Sequence, residues 1–375
     1  MTAAAHSTSP GTTVKPVTEY ERWMADQEIP IVYGFGVEDV RRIERSHWAL
    51  LGCKAAFIQL YGMEAFTGMF VAELGPGEET RPLRHLYEQV ILVFEGEGEA
   101  EVWAPGAGPA ERDRFSWQRY SLFSTPLNCW YTLRNTGPRP AIFTSVTTAP
   151  MVLDLFHDRR FVFENDYHFS SRFAPSSGFS ARHERLVAAS GVRAMRSNVI
   201  KDVVEVPIDT DERRGSGVRI TAFEMAENVL AGHLAEWPPR HRQKAHYHSA
   251  GAVLLIVRSE GYTLMWPSQV GLRPFESGHQ DKVVRVKWQV GSAFCPPDQW
   301  FHQHFNTGSE PARQIAIRYG STDHPVGFAA GLRIGADRDI VPTRTSIKAG
   351  GTAIEYEDED PRIFAEYREI VGEIE

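Results

Sequence analysis

Residues 84–106, RHLYEQVILVFEGEGEAEVWAPG, and residues 245–269, AHYHSAGAVLLIVRSEGYTLMWPSQ, lie on one another without a gap, Gly98 meeting Gly261 and Trp103 meeting Trp266. A second pair follows in step. Residues 120–141, YSLFSTPLNCWYTLRNTGPRPA, match residues 291–313, GSAFCPPDQWFHQHFNTGSEPAR, placing Pro126 on Pro297, Asn135 on Asn306 and Gly137 on Gly308. An internal repeat of this kind outranks any local reading of secondary structure, so the chain is expected to contain one domain twice. At 375 residues it is long enough for two cores of ordinary size.

The texture around these segments is that of short strands. CKAAFIQLYG, GMFVAELGPG, AIFTSVT, VRITAFEMAENVLAGHLAEWPP and ARQIAIRYGS are rich in β-branched and aromatic residues and are punctuated by Gly, Pro and Asn. The fold class is therefore all-β, as two tandem barrels. Residues 1–18 read as a disordered leader and 19–48 as a helical arm, where YERWMADQ and VEDVRRIERSHW space apolar residues three and four apart. The first barrel is expected over 49–150, a bridging segment with a helix at ARHERLVAASG over 151–215, and the second barrel over 216–325. Residues 326–375 form an acidic tail ending in a helix, and its acidic run reads as a solvated face.

Composition narrows the function. The 48 Asp and Glu outnumber the 40 Lys and Arg, giving a net charge of −8 with no basic block, so neither nucleic acid nor an anionic membrane is an expected partner. No apolar run approaches the roughly 20 residues that cross a bilayer. The start of the chain lacks the apolar stretch of a secretory signal. Cys53, Cys129 and Cys295 are far apart and form no Cys-x-x-Cys pair. A reducing cytoplasm is the expected location.

The chemistry sits in the second repeat. His246 and His248 are two apart in a strand context and so face one side. His302, in WFHQHFN, would close a histidine triad from a facing strand. His304 shares that face and is expected to orient a ligand or serve as acid or base. In the first repeat the matching positions are Leu83, His85, Gln89 and Tyr131, which cannot hold a metal. His85 reads as a hydrogen-bonded core histidine, and the first barrel as a scaffold, a dimer surface or a binder of something organic.

These paired segments resemble the two motifs of the cupin superfamily, H-x-H-x(3,4)-E-x(6)-G and P-x-G-x(2)-H-x(3)-N. The resemblance implies two double-stranded β-helix, or jelly-roll, barrels with His246, His248 and His302 as metal ligands, and it places Ala252 where a glutamate ligand would stand. More narrowly, H-Y-H-S-A-G-A and W-F-H-Q-H-F-N are similar to the bicupin ring-cleaving dioxygenases of the gentisate, salicylate and 1-hydroxy-2-naphthoate type. The specific motifs span only about forty residues. Two departures stand out: the metal site falls in the second barrel rather than the first, and Gln303 replaces an aspartate.

What the resemblance implies is a mononuclear iron(II) enzyme acting with dioxygen on a hydroxylated aromatic acid. Three neutral imidazoles leave about three positions open around an octahedral ion, enough for a chelating anion and dioxygen, although imidazole also suits manganese, nickel or zinc. Arg318, in QIAIRYG, is the first candidate to bind a substrate carboxylate, and Arg214 the next. Trp266, Trp300 and Phe305 are expected to wall the pocket. Alternatives are a manganese, nickel or zinc hydrolase, isomerase or lyase, and a non-catalytic binding protein. A homodimer is the expected assembly.

Overall fold

The computed structural model describes residues 17–372, apart from 64, 175–177, 188–192, 211–214, 249–250, 322–323, 325–331, 335–339 and 343–344. The expected leader therefore lies almost wholly outside the described residues. Two jelly-roll barrels follow one another, each made of an eight-stranded sheet facing a three-stranded one. The small sheet of the first barrel joins Trp130–Asn135, Glu97–Trp103 and Asp113–Gln118. That of the second joins Trp300–Asn306, Gly261–Pro267 and Val284–Trp288.

The repeat is visible in the strand register. Gly98 pairs with Asn135 in the first barrel, and Gly261 with Asn306 in the second. Both glycines are sterically required. A Cβ on Gly98 would lie 1.9 Å from the Arg134 carbonyl oxygen and 2.3 Å from the Trp117 ring, and one on Gly261 would lie 1.9 Å from the Phe305 carbonyl oxygen and 2.7 Å from the Trp288 ring. Both asparagines lock the turn that follows. The Asn135 amide donates to the Arg139 carbonyl at 2.7 Å while its oxygen accepts from Gly137 N–H at 2.9 Å; Asn306 does the same with Glu310 at 2.7 Å and Gly308 at 3.0 Å.

The barrels are fused by apolar burial. Val71, Val90 and Leu92 on the back of the first large sheet join Leu234, Val253, Leu255, Ile315 and Ile317 on the back of the second in one core. Central strands are thus buried on both faces, and Leu230–Trp237 has no exposed residue. Each barrel also borrows an edge strand: Gly36–Val37 from the N-terminal arm pairs with Phe294 and Ala293 of the second barrel, and Val199–Ile200 from the bridging segment pairs with Phe123 and Leu122 of the first. Buried Glu88 staples the seam by accepting from Leu230 N–H at 2.8 Å and Arg172 at 2.9 Å.

Three expectations need correction. The arm is helical only over Glu19–Asp26, where Thr18 and Glu21 form a capping box. The rest of it becomes Ile31–Gly34, Gly36–Val37, a short turn of helix and Ser46–Trp48, because sheet edges take it up as strand. The expected bridging helix is instead the strand His183–Val187, paired with Arg193–Ser197. The acidic tail, finally, is anchored rather than a solvated face. Asp360 is fully buried and caps the helix Pro361–Val371, and it also accepts from Phe275 N–H at 2.7 Å and Glu276 N–H at 3.0 Å. That helix lays Ile363, Tyr367 and Val371 on the outer face of the second barrel.

Gly261→Ala should lower the thermal midpoint by at least about 5 °C in a melting experiment, since forcing one methyl into a packed strand costs about 1–3 kcal/mol. Gly77→Ala is the control: nothing lies within 4 Å of its Cβ position, although its φ of +77° adds backbone strain of its own.

Candidate metal centre

The strand Trp300–Asn306 alternates its side chains between the barrel interior and the outside. His302 and His304 face inward with Met265 and Thr263 opposite them, whereas Phe301, Gln303 and Phe305 face outward beside Trp266, Leu264 and Tyr262. His246 enters from the neighbouring segment, bridged in register to His302 by reciprocal backbone hydrogen bonds of 3.1 and 2.9 Å. One ligand-type atom from each of His246, His248 and His302 lies within 4.8 Å of the others. His246 and His302 are buried, and His248 is the more exposed of the three.

The hydrogen bonds of the rings favour metal ligation. His246 Nδ1–H donates to the Lys244 carbonyl at 3.2 Å, and His302 Nδ1–H donates to the Trp300 carbonyl at 3.1 Å. With the proton fixed on Nδ1, each ring presents the Nε2 lone pair, which is how a backbone carbonyl orients a ligating imidazole. The donor set fits a divalent transition ion.

His304 lies deeper. Its Nδ1 meets the Thr263 hydroxyl at 2.8 Å, and the same hydroxyl accepts from the Trp288 indole at 3.1 Å. It is outside the cluster of ligand atoms but lines the pocket. His233, on the strand Leu230–Trp237, lines it too. Sequence reading passed over His233, although LAGHLAEW alternates in a way that puts it inward; its counterpart in the first barrel is Phe70, found by following the strand pairings.

Arg318 and Ala252 also line the pocket. Val253 pairs with Ile317, so continuing the register sets Ala252 opposite Arg318. The Arg318 side chain keeps some solvent contact, yet desolvation pulls its pKa below the usual guanidinium value. Among the described residues no carboxylate pairs with it. Arg214 lies outside the described residues.

The pocket walls differ from expectation. Trp266 and Phe305 do not face the site: strand alternation turns both outward, into the cluster under the C-terminal helix. Trp300 keeps the inward parity of His302 but stands at the start of its strand, partly exposed. Gln303 is outward too, donating to the Gln243 carbonyl at 2.9 Å and to Glu359, so the residue between the two histidines does not reach the pocket. The pocket offers about 20 Å³ to water-sized contents, where one water needs roughly 10–15 Å³.

In the first barrel the matching bridge joins Leu83 to Tyr131. His85 is 3% exposed, donates from Nδ1 to the Tyr87 carbonyl at 2.7 Å and stacks on the Tyr87 ring at 3.6 Å. Burial drives its pKa down to about 3, so it is a neutral core histidine.

No protein-family model matches the chain, and no curated protein sequence matches it. Solved structures similar in fold include vicilin from Corylus avellana (hazelnut), at 12% identity and TM-score 0.47 over 76% of this chain and 85% of that one. Salicylate 1,2-dioxygenase from Pseudaminobacter salicylatoxidans gives 14% and 0.45 over 68% and 72%, and oxalate decarboxylase from Lactobacillus farciminis 9% and 0.48 over 78% and 86%. The tandem jelly-roll plan of this chain rests on its own strand order.

Replacing His246, His248 or His302 by Ala should remove bound transition metal, read by elemental analysis of protein purified without chelators. His85→Ala should leave metal content unchanged, though the cavity it creates should cost stability.

Proposed function

We propose that this protein is a mononuclear metal enzyme of the second barrel, and that its reaction is iron(II)-dependent oxidation of a chelating carboxylic acid by dioxygen. The observation that carries the reading is the pairing of Ala252 with Arg318. A carboxylate at position 252 would neutralise both a bound ion and the arginine. Alanine leaves the charge of both for an exogenous anion, and Arg318 stands where a carboxylate so bound would need a partner.

An iron(II) ion held by His246, His248 and His302 would supply redox activation of dioxygen beside the bound organic acid. The chain's own residues do the rest. Arg318 binds and orients the substrate carboxylate, and its partly desolvated setting strengthens that contact. His304, tied through Thr263 to Trp288, is placed to hold or pass a proton on the inner side of the site. Leu254 and Ala316 help to close the pocket and limit its water. Hydroxylated aromatic acids are the leading substrate class, because the segments around His246 and His302 resemble those of ring-cleaving dioxygenases.

A hydrolase, isomerase or lyase using manganese, nickel or zinc is the second reading, since the donor set accommodates those ions as well. Elemental analysis joined to oxygen uptake on a panel of hydroxylated aromatic acids, after anaerobic iron(II) loading, separates the two. Iron near one per chain with substrate-dependent uptake is expected. Another metal with no uptake on any acid would transfer the proposal to the second class.

Arg318→Gln should raise KM for a carboxylate substrate by about 10- to 100-fold, the loss of a charge-assisted contact, with metal content preserved. Ala252→Glu should retain metal at least as tightly while abolishing anion binding.

A further inference from the structure

The pocket beside the three histidines is narrow, with room for about 20 Å³ of water-sized contents, and it is open on one side. A substrate larger than its chelating group is therefore expected to extend through that opening. It leaves past His248, the most exposed of the three histidines. There it meets Trp300: the neighbouring Gln299 N–H donates to the His248 carbonyl at 3.2 Å, and Trp300 shares the inward parity of His302.

Trp300 does not stand alone. Phe35, from the N-terminal arm, has its ring centroid 5.8 Å from that of Trp300, and Tyr61, from the first barrel, packs edge-on to Phe35 at 4.9 Å. Tyr61 is 44% exposed, and Phe35 and Trp300 are each partly exposed. The backbone around these rings is closely packed and hydrogen-bonded. A Cβ on Gly36 would lie 2.8 Å from Val286 and 3.1 Å from both Ala293 and Phe294, so the arm is seated tightly on the second barrel. Tyr61 N–H donates to the Gly34 carbonyl at 2.8 Å, and Gly251 N–H, next to Ala252, donates to the Gly62 carbonyl at 2.8 Å.

Resting on the metal-and-arginine reading above, the geometry points to Phe35, Tyr61 and Trp300 as a ledge that binds the aromatic part of the substrate outside the metal pocket. Specificity for an aromatic over an acyclic acid then comes from the N-terminal arm and the first barrel, neither of which contributes a ligand. This gives the metal-free half of the molecule a role in recognition. A flat ring bearing adjacent hydroxyl and carboxylate groups suits the arrangement: the polar edge enters the pocket and the faces meet the ledge.

The test is equilibrium binding to the full chain loaded with zinc, which binds the triad without turnover. Calorimetry compares 2-hydroxybenzoate with 3-hydroxypropanoate, which offer a hydroxyl and a carboxylate at the same spacing with and without a ring. The aromatic acid is expected to bind at least about tenfold more tightly. Phe35→Leu and Tyr61→Ser should each reduce that ratio several-fold while leaving zinc stoichiometry, the melting midpoint and the affinity for 3-hydroxypropanoate unchanged. Phe35→Leu keeps the apolar bulk, so a loss there reports the ring rather than the packing.

Equal binding of the two acids, or a ratio that both variants leave intact, overturns the ledge alone. Failure of both acids to bind zinc-loaded wild type overturns the metal-and-arginine reading and the ledge with it. Self-association in sedimentation that Phe35→Leu abolishes would instead make these rings a contact between two copies of the chain.

Discussion

The constraint on which the rest depends is that the strand Trp300–Asn306 is buried on both faces, with opposite contents on each. WFHQHFN alternates histidine with phenylalanine and glutamine, and the pleat sends the histidines into the barrel and the others outward. An outward face carrying Phe301, Gln303 and Phe305 cannot remain in water. The C-terminal tail covers it: Tyr367 donates to the Asn306 carbonyl at 3.2 Å, Ile354 N–H bonds the Ala245 carbonyl at 2.8 Å, and Ala353 bridges to His246 from outside. The acidic run finds its cations here. Glu359 pairs with Arg242 at 3.0 Å and accepts from Gln303, and Glu355 pairs with Lys244. The backbone that carries His246 and His302 is therefore gripped from both sides, which is what positions a ligand set to within tenths of an ångström.

The two barrels show how little separates a metal site from a packed core. The bridge that joins His246 to His302 joins Leu83 to Tyr131, and the Gly–Asn pairing recurs unchanged. What differs is the filling. Tyr131, Leu133 and Phe70 stand where the second barrel has His302, His304 and His233, and they belong to one continuous apolar cluster with Phe57, Phe123 and Phe143. The single histidine left there, His85, survives because Tyr87 supplies both a carbonyl acceptor and a stacking face. A neutral imidazole with its N–H satisfied costs less to bury than a charged one, whereas three imidazoles facing one another gain most from a cation between them.

The fold was legible because the repeat is carried by residues with no freedom to change. Gly98, Gly261, Asn135 and Asn306 are fixed by close approach and by turn hydrogen bonds, so they align even where the side chains between them diverge. Period-2 spacing likewise brought His246, His248 and His302 together. The same rule, applied to Phe305 and Trp266, would have turned them away from the site: they differ in parity from His302 and from its strand partner Met265. The tail was misread for a different reason. Its charges are complemented by Arg242, Lys244 and Arg285, which are distant in sequence, and local charge density carries no information about such partners. The arm and the segment 183–187 were misread because their helical spacing is overridden by sheet edges that need a partner.

Charge shows how a protein with a net charge of −8 could select an anion, as the proposed function requires. Many of its acidic residues pair with arginine or lysine, whereas the pocket is lined by five histidines and Arg318, with no carboxylate among the lining residues. A divalent ion added to that set leaves the site with a local charge of about +3. Coulomb interaction there is several-fold stronger than in bulk water, because the effective dielectric is lower, while fields from the outer surface are screened within roughly 8–10 Å at physiological salt. The overall sign of the protein therefore has little hold on the site. On the proposed reading the site would take one compact anion that reaches both the ion and Arg318, and Ala252 leaves the room for it.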